Sequence, residues 1–402
     1  MIVREVVVTG LGAVTPLGVG ARTLHERWTA GVSGLESGEG VCSEFEPTDV
    51  LSRKEARRAD RFTQLAIAAA DEALRDAGWA DELPYDPDLI GSVMGTGIGG
   101  IGTIEDNHGV LRDDGARAVS PLAVPLMMGN AGAAALSLRF GLQGPVFGVM
   151  SACAAATHAI GTAARMIQHG DADAVVTGGS EAALTPLTRA SFASMSALSP
   201  TGQSRPFDAR RDGFVLAEGA GVLVLEDGDK ARARGAKILG VVRGYGATGD
   251  AHHLTAPDEA GTGGAKAIKM ALRDAGLRPE DIAYVNAHGT GTPLNDRAET
   301  AALKLAFGDA AGNVPISSTK SATGHLLGAA GAIEAVATIL ALRDRVAPPT
   351  LHWEQAEDGL DLDYVPNTAR PLADDDRAAI GLSNSFGFGG HNAALILEAS
   401  PA

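Results

Sequence analysis

The sequence predicts an α/β protein made of two similar halves, each a parallel sheet covered by helices. Three observations carry that expectation. Short apolar strand patterns alternate with amphipathic helix patterns along nearly the whole chain, the order that buries a sheet beneath helices. The alternation restarts near residue 240, which divides the chain into halves 1–240 and 241–402 with no linker composition between them. The chain has 402 residues, 45% of them hydrophobic, and 52 glycines. That is enough apolar material for two cores and a fold rich in tight turns.

The elements follow in order. VREVVVTG opens as a strand because its valines suit a pleated surface. Helix patterns follow near 21–30 and at 61–77, then a strand in LIGSVMG. VFGVM is a strand, and behind it Ile160, Ala163, Ala164 and Ile167 recur at helical spacing, with His169-Gly170 as the stop. DADAVVTGGSEA (171–182) and GAGVLVLED (219–227) complete the first half. The second half runs through the same alternation, with a strand in ILGVVRGYG, a helix at 264–275, a strand in IAYVNAHG and a helix at 298–307. VPISST, a helix from about 327 to 343 and the closing pair AAIGLSNSFGFGGHNAALILEAS finish it.

Charge and cysteine content narrow the function. A formal net charge of −16 makes nucleic acid and membrane surfaces poor partners. Two cysteines, Cys42 and Cys153, make no disulfide framework and suit a reducing compartment. MIVREVVVTGLG starts on a strand pattern and lacks the basic-then-apolar order of a signal peptide. The most apolar helix, GAAGAIEAVATILAL, is interrupted by Glu334 and is too short to span a bilayer. A cytoplasmic protein is expected.

GTGIGG at 95–100 fits the G-x-G-x-x-G of a dinucleotide-binding turn. The following IGTIEDNHG is a poor helix start and no clean βαβ unit closes around it, so a nucleotide role is not expected. Cys153, in VMSACAAATHAIG, falls at a strand-to-helix turn among small residues. Unpaired N–H groups and a positive helix end there favour a thiolate and supply donors for an oxyanion. His288, in YVNAHGTGTP, follows a strand, and His325, in SSTKSATGHLLGAAGAIEA, opens a long helix. Histidines at such positions tend to stay neutral and donate hydrogen bonds. Lys320 and Glu334 flank His325 and form a pair able to brace it. From the residues alone, a space-filling cysteine and ordinary surface histidines remain alternatives. No C-x-x-C or H-x-x-H frames a metal site, and none is expected.

SACAAATHAIG, NAHGTGTPLNDRAET, STKSATGHLLGAAGAIEA and NSFGFGGHN, in this order and spacing, closely resemble the β-ketoacyl synthases. The resemblance runs from VVVTGLGAVTPLG almost to the C-terminus. It implies a thiolase-like fold, a five-layered αβαβα sandwich of two pseudo-symmetric halves, usually a homodimer and in some pathways a heterodimer with a chain-length partner. It implies an acyltransferase that condenses an acyl thioester with malonyl-acyl carrier protein and needs no cofactor. Cys153 would accept the acyl group, with its own N–H and that of Phe388 as oxyanion hole. His288 and His325 would hold the malonyl thioester oxygen, with Lys320 and Glu334 in support of His325. Thr290 and Thr292 would bind the pantetheine arm, Phe388 would gate the site, and Ile98 and Phe192 would line the acyl pocket. Lys54, Arg57 and Arg58 would dock the acidic carrier protein. Ser196, where a basic residue is common, Gly291, where serine is, and the Ala-Ala-Thr after Cys153 depart from the fatty-acid pattern. They leave a polyketide or polyene pathway as the alternative.

Overall fold

The computed structural model describes residues 3–35, 38–79, 82–373 and 378–399. Its main elements come in two rounds of one order. The first round is β1 (Val6–Thr15), α1 (Arg61–Asp76), β2 (Ile90–Gly95), α2 (Ala131–Phe140), β3 (Val146–Val149), α3 (Ala155–His169), β4 (Ala174–Glu181) and β5 (Gly219–Asp227). The second is β6 (Gly240–Gly249), α4 (Thr262–Ala275), β7 (Tyr284–Asn286), α5 (Pro293–Phe307), β8 (Ile316–Ser317), α6 (Ala330–Arg343), β9 (Ala379–Gly387) and β10 (His391–Ala399).

Strand order repeats as well: β3-β2-β4-β5-β1, then β6-β10-β9-β7-β8 in mirror sequence. Within each round the first three sheet neighbours are parallel, and β5 or β10 inserts antiparallel between the fourth strand and the first. The sheets join where β1 meets β6 antiparallel, at Val7–Val241 and Val8–Gly240. Helices α1 and α2 cover the outer face of the first sheet, and α4, with α5 against it, covers the second. Helices α3 and α6 pack against each other and touch both sheets. The result is the five-layered thiolase-like sandwich.

The middle layer explains the composition of α6. All its residues are buried, so its sequence is apolar on every face. Three boundaries differ from the sequence expectation. Helix α5 begins at Pro293, because Thr292 caps it by accepting from the Asn295 N–H and proline suits the first turn. Helix α6 begins at Ala330, since Leu327–Ala329 is a separate 3-10 turn. The third difference is IGTIEDNHG, which lies in a helix, Ile101–Asp114. Gly100 offers it no capping side chain and only Ile101 is buried, so no apolar periodicity marks that helix in the sequence.

Candidate active site

The repeat places the reactive residues at equivalent points. Cys153 lies between β3 and α3, and His325 between β8 and α6. The residue before each has a left-handed backbone, Ala152 at φ +50° and Gly324 at φ +71°. For alanine that conformation costs about 1–2 kcal/mol, a strain found at functional turns. The two elbows bring His325 Nε2 to 3.1 Å from Cys153 Sγ. His288, just past β7, completes the group, its ring centre 5.4 Å from that of His325 and nearly perpendicular to it.

Electrostatics set the protonation states. Burial pushes the Cys153 thiol up to about 12, against the opposing pull of the Lys320 charge and the Phe388 N–H. The expectation of a helix-stabilised thiolate is thereby corrected: desolvation outweighs the helix end, and the resting group is a thiol hydrogen-bonded to His325. Both histidines are pushed well below their ordinary value, first by burial and then by Lys320. They are neutral, as expected, though for these reasons more than for a helix terminus.

Lys320 braces His288 and does not bond His325. Its Nζ donates to the His288 carbonyl at 2.6 Å, contacts His288 Nδ1 at 3.3 Å, and pairs with Glu334. The sequence spacing misled because Lys320 sits on the short helix Lys320–Thr323, which Gly324 breaks before His325. An ammonium only donates, so His288 Nδ1 accepts and its proton resides on Nε2. His325 Nδ1 is buried with no partner among the described residues, which leaves either tautomer open to that ring. Ligand atoms of Cys153, His288 and His325 lie within 4.8 Å of one another. The Lys320 charge in contact with His288 works against a cation there.

A cavity of about 450 Å³ opens onto these groups, and Ile98, Phe192, Thr290, Thr292 and Phe388 all line it. The ring centres of Phe192 and Phe388 lie 6.4 Å apart, and the hydroxyls of Thr290 and Thr292 are 2.9 Å apart. Gly389 and Gly390 follow Phe388, both at positive φ. Lys54, Arg57 and Arg58 are exposed on and beside the turn Arg53–Ala56, held by a Ser52–Glu55 capping box. They do not line the cavity, whose lining includes the acids Asp212, Asp250 and Asp258. Cys42 is buried and its thiol donates to the Glu218 carbonyl at 3.3 Å.

Several residues of the site were given no role by the sequence, although Glu299 and Phe386 stand inside its motifs. Glu299 accepts from the N–H groups of His288 and Gly289 at 2.8 and 2.7 Å and fixes the turn that presents His288. Phe214 packs edge-on against His325, and Phe386 against His288. In the GTGIGG turn, the Gly97 and Ile98 amides donate to the Glu181 carboxylate. An anion of the protein itself fills the place a phosphate would need, which rules the dinucleotide reading out. Spacing along the chain did not single these partners out; the folded geometry does.

The fold and the geometry of its site define a thiolase-like acyltransferase. The Beta-ketoacyl synthase N-terminal domain family matches residues 42–231, and the C-terminal domain family residues 239–354. This chain belongs to the β-ketoacyl synthase family. It is 46% identical over 416 residues to the 3-oxoacyl-[acyl-carrier-protein] synthase 2 of Synechocystis sp., covering 98% of each chain. A crystal structure of a β-ketoacyl synthase from Burkholderia phymatum superposes with a TM-score of 0.90 at 34% identity, covering 98% of this chain and 99% of that one. A ketosynthase complex of a type II polyketide pathway with its acyl-carrier protein, AntDE:AntF, gives 0.88 at 32% identity, covering 99% and 100%. Among the described residues no helix is long and apolar enough to cross a membrane.

Proposed function

We propose that this protein joins an acyl thioester to malonyl-acyl carrier protein with loss of carbon dioxide, giving a 3-oxoacyl-acyl carrier protein two carbons longer, in fatty-acid elongation. The observation that carries the reading is the Cys153 thiol 3.1 Å from His325 Nε2, beside a His288 whose Nε2–H is fixed by Lys320. Halves 1–240 and 241–402 then divide the labour, the first supplying the nucleophile and the second both histidines.

In the first half-reaction Cys153 Sγ attacks the acyl carbonyl and its proton passes through His325 Nε2 to the departing pantetheine thiol. The Cys153 and Phe388 N–H groups receive the oxygen's developing charge. Malonyl thioester next enters along Thr290 and Thr292. Its carboxylate leaves as carbon dioxide, and the bonding pair becomes an enolate whose oxygen accepts from the Nε2–H of His288 and from His325 in the tautomer that carries its proton on Nε2, which the unpartnered Nδ1 permits. The enolate carbon attacks the acyl-Cys153 carbonyl, the C–S bond breaks, and the released cysteine thiolate takes up a proton from solvent. Decarboxylation drives the step, so the chemistry calls for no redox group. Phe388, free to swing on its two glycines, separates the half-reactions.

Carrier protein brings both thioesters, and Lys54, Arg57 and Arg58 are its docking charges in this reading. β3 supports a dimer. It is one of the two end strands of the main sheet and carries exposed Val146 and Phe147, with exposed Met150 beyond it. Such an edge pairs readily with a second copy, or with a chain-length partner. Two unbridged cysteines fit the cytoplasm. The polyketide reading keeps one specific support, the close superposition with a type II polyketide ketosynthase.

Intact-protein mass spectrometry tests this. Saturated acyl-carrier proteins should leave an acyl mass on Cys153, and malonyl-carrier protein should then release a product two carbons longer. In His325→Ala malonyl decarboxylation should fall far more than acyl loading; equal losses would sink the division of roles. Loading confined to polyene or 3-oxo chains would select the polyketide pathway.

A further inference from the structure

Glu181 ends β4 with its carboxylate fully buried. The Gly97 and Gly328 N–H groups donate to Oε2 at 2.6 and 3.0 Å. The Thr96 hydroxyl and the Ile98 N–H donate to Oε1 at 3.0 and 3.2 Å. Burial raises this carboxyl above its ordinary value, and the four donors oppose that rise and favour the ionised group.

These donors belong to separate parts of the site. Thr96 to Ile98 form the turn that sets Ile98 on the cavity wall, and Gly328 lies in the 3-10 turn between His325 and α6. The backbones touch there: a Cβ on Gly328 would stand 2.0 Å from the Gly97 nitrogen. A matching tie runs the other way. Strand β9, the repeat's equivalent of β4, carries Ser385, whose hydroxyl lies 2.7 Å from that of Thr157 in the first turn of α3, just beyond Cys153. The fourth strand of each half thus holds the arm that presents the other half's reactive residue. Such ties fix the relative position of two groups that lie on different halves and must stay about 3 Å apart to exchange a proton.

We infer that Glu181 is a positioning residue, which clamps the Ile98 turn and the His325 arm together and keeps His325 in register with Cys153, with Ser385–Thr157 as the reciprocal tie. Its catalytic consequence rests on the condensing reaction proposed above. Burial chiefly raises the Cys153 thiol, and the Glu181 charge adds to that rise, a consequence independent of the condensing reaction.

The test compares wild type with Glu181→Gln and Ser385→Ala. The glutamine keeps the shape but turns an N–H group toward donors. Condensation kcat should fall about tenfold or more in Glu181→Gln, as expected when reacting groups shift by a fraction of an ångström, with malonyl KM little changed. Iodoacetamide labelling of Cys153 at pH 8, read by peptide mass spectrometry, should speed up about threefold or more as the thiol's pKa drops. Ser385→Ala should lower kcat without that speed-up. Folded variants that keep kcat within about twofold of wild type, or Glu181→Gln with unchanged labelling, would overturn the inference. Should Glu181→Gln not fold, Thr96→Val, which removes one donor only, and Ser385→Ala decide by the same kcat criterion. A wild type that accepts no acyl group would undo the condensing reading and with it the clamp's catalytic consequence, while the labelling comparison would still judge the Glu181 charge beside Cys153.

Discussion

Replacing Lys320 with methionine isolates the buried ion pair at the heart of the site. Lys320 and Glu334 side chains are 1% and 2% exposed, so neither charge has water to fall back on. Lys320 spends its donors on Glu334, the His288 carbonyl and His288 Nδ1. Removing one partner of such a pair leaves an uncompensated buried charge and costs about 3–5 kcal/mol. The His288 carbonyl loses its donor as well, for about 1 kcal/mol more. The double variant Lys320→Met/Glu334→Leu buries no charge and should recover most of the loss. Chemical denaturation of wild type, both single variants and the double measures this as a cycle. Burial already raises the Glu334 carboxyl, and losing Lys320 raises it further. A raised carboxyl contributes its stability at low pH and loses it as pH climbs through the folded value. The Lys320→Met penalty should therefore be largest at neutral and alkaline pH and shrink in acid. A single variant within about 1 kcal/mol of wild type, or a double variant as unstable as the single, would refute the reasoning.

Two further outcomes follow from the same electrostatics. With the Cys153 thiol pushed up to about 12, its iodoacetamide labelling should rise about tenfold per pH unit between pH 7 and 9; a plateau below pH 8 would mean a resting thiolate. Glu299 is pushed by burial from 4.5 to about 7. Its share of stability, about 3 kcal/mol by linkage, is present below pH 4.5 and lost as pH rises through 7, so Glu299→Gln should flatten the decline in unfolding free energy between pH 5 and 8. An unchanged slope would show that the carboxyl does not titrate there.

The sequence by itself determined the class and the cast. Alternating strand and helix patterns fixed an α/β fold in two rounds because backbone period and apolar spacing are local properties, and GAGVLVLED was placed at the residues that form β5. Cys153, His288 and His325 were legible because each stands in a distinctive local motif, Cys153 and His288 after a strand and His325 ahead of a long helix. The tertiary structure alone decided how they work. Lys320 serves His288 and not His325 because a left-handed Gly324 redirects the chain, and sequence separation carries no direction through such a turn. Cys153 rests as a thiol because burial, a property of the whole assembled core, outweighs the local helix end. Glu299 and Glu181 stayed invisible for the same reason. Their partners lie 10 or more positions away in sequence: the turn from β7 into α5 brings the His288 and Gly289 amides to Glu299, and packing of the two halves brings the Gly328 amide to Glu181.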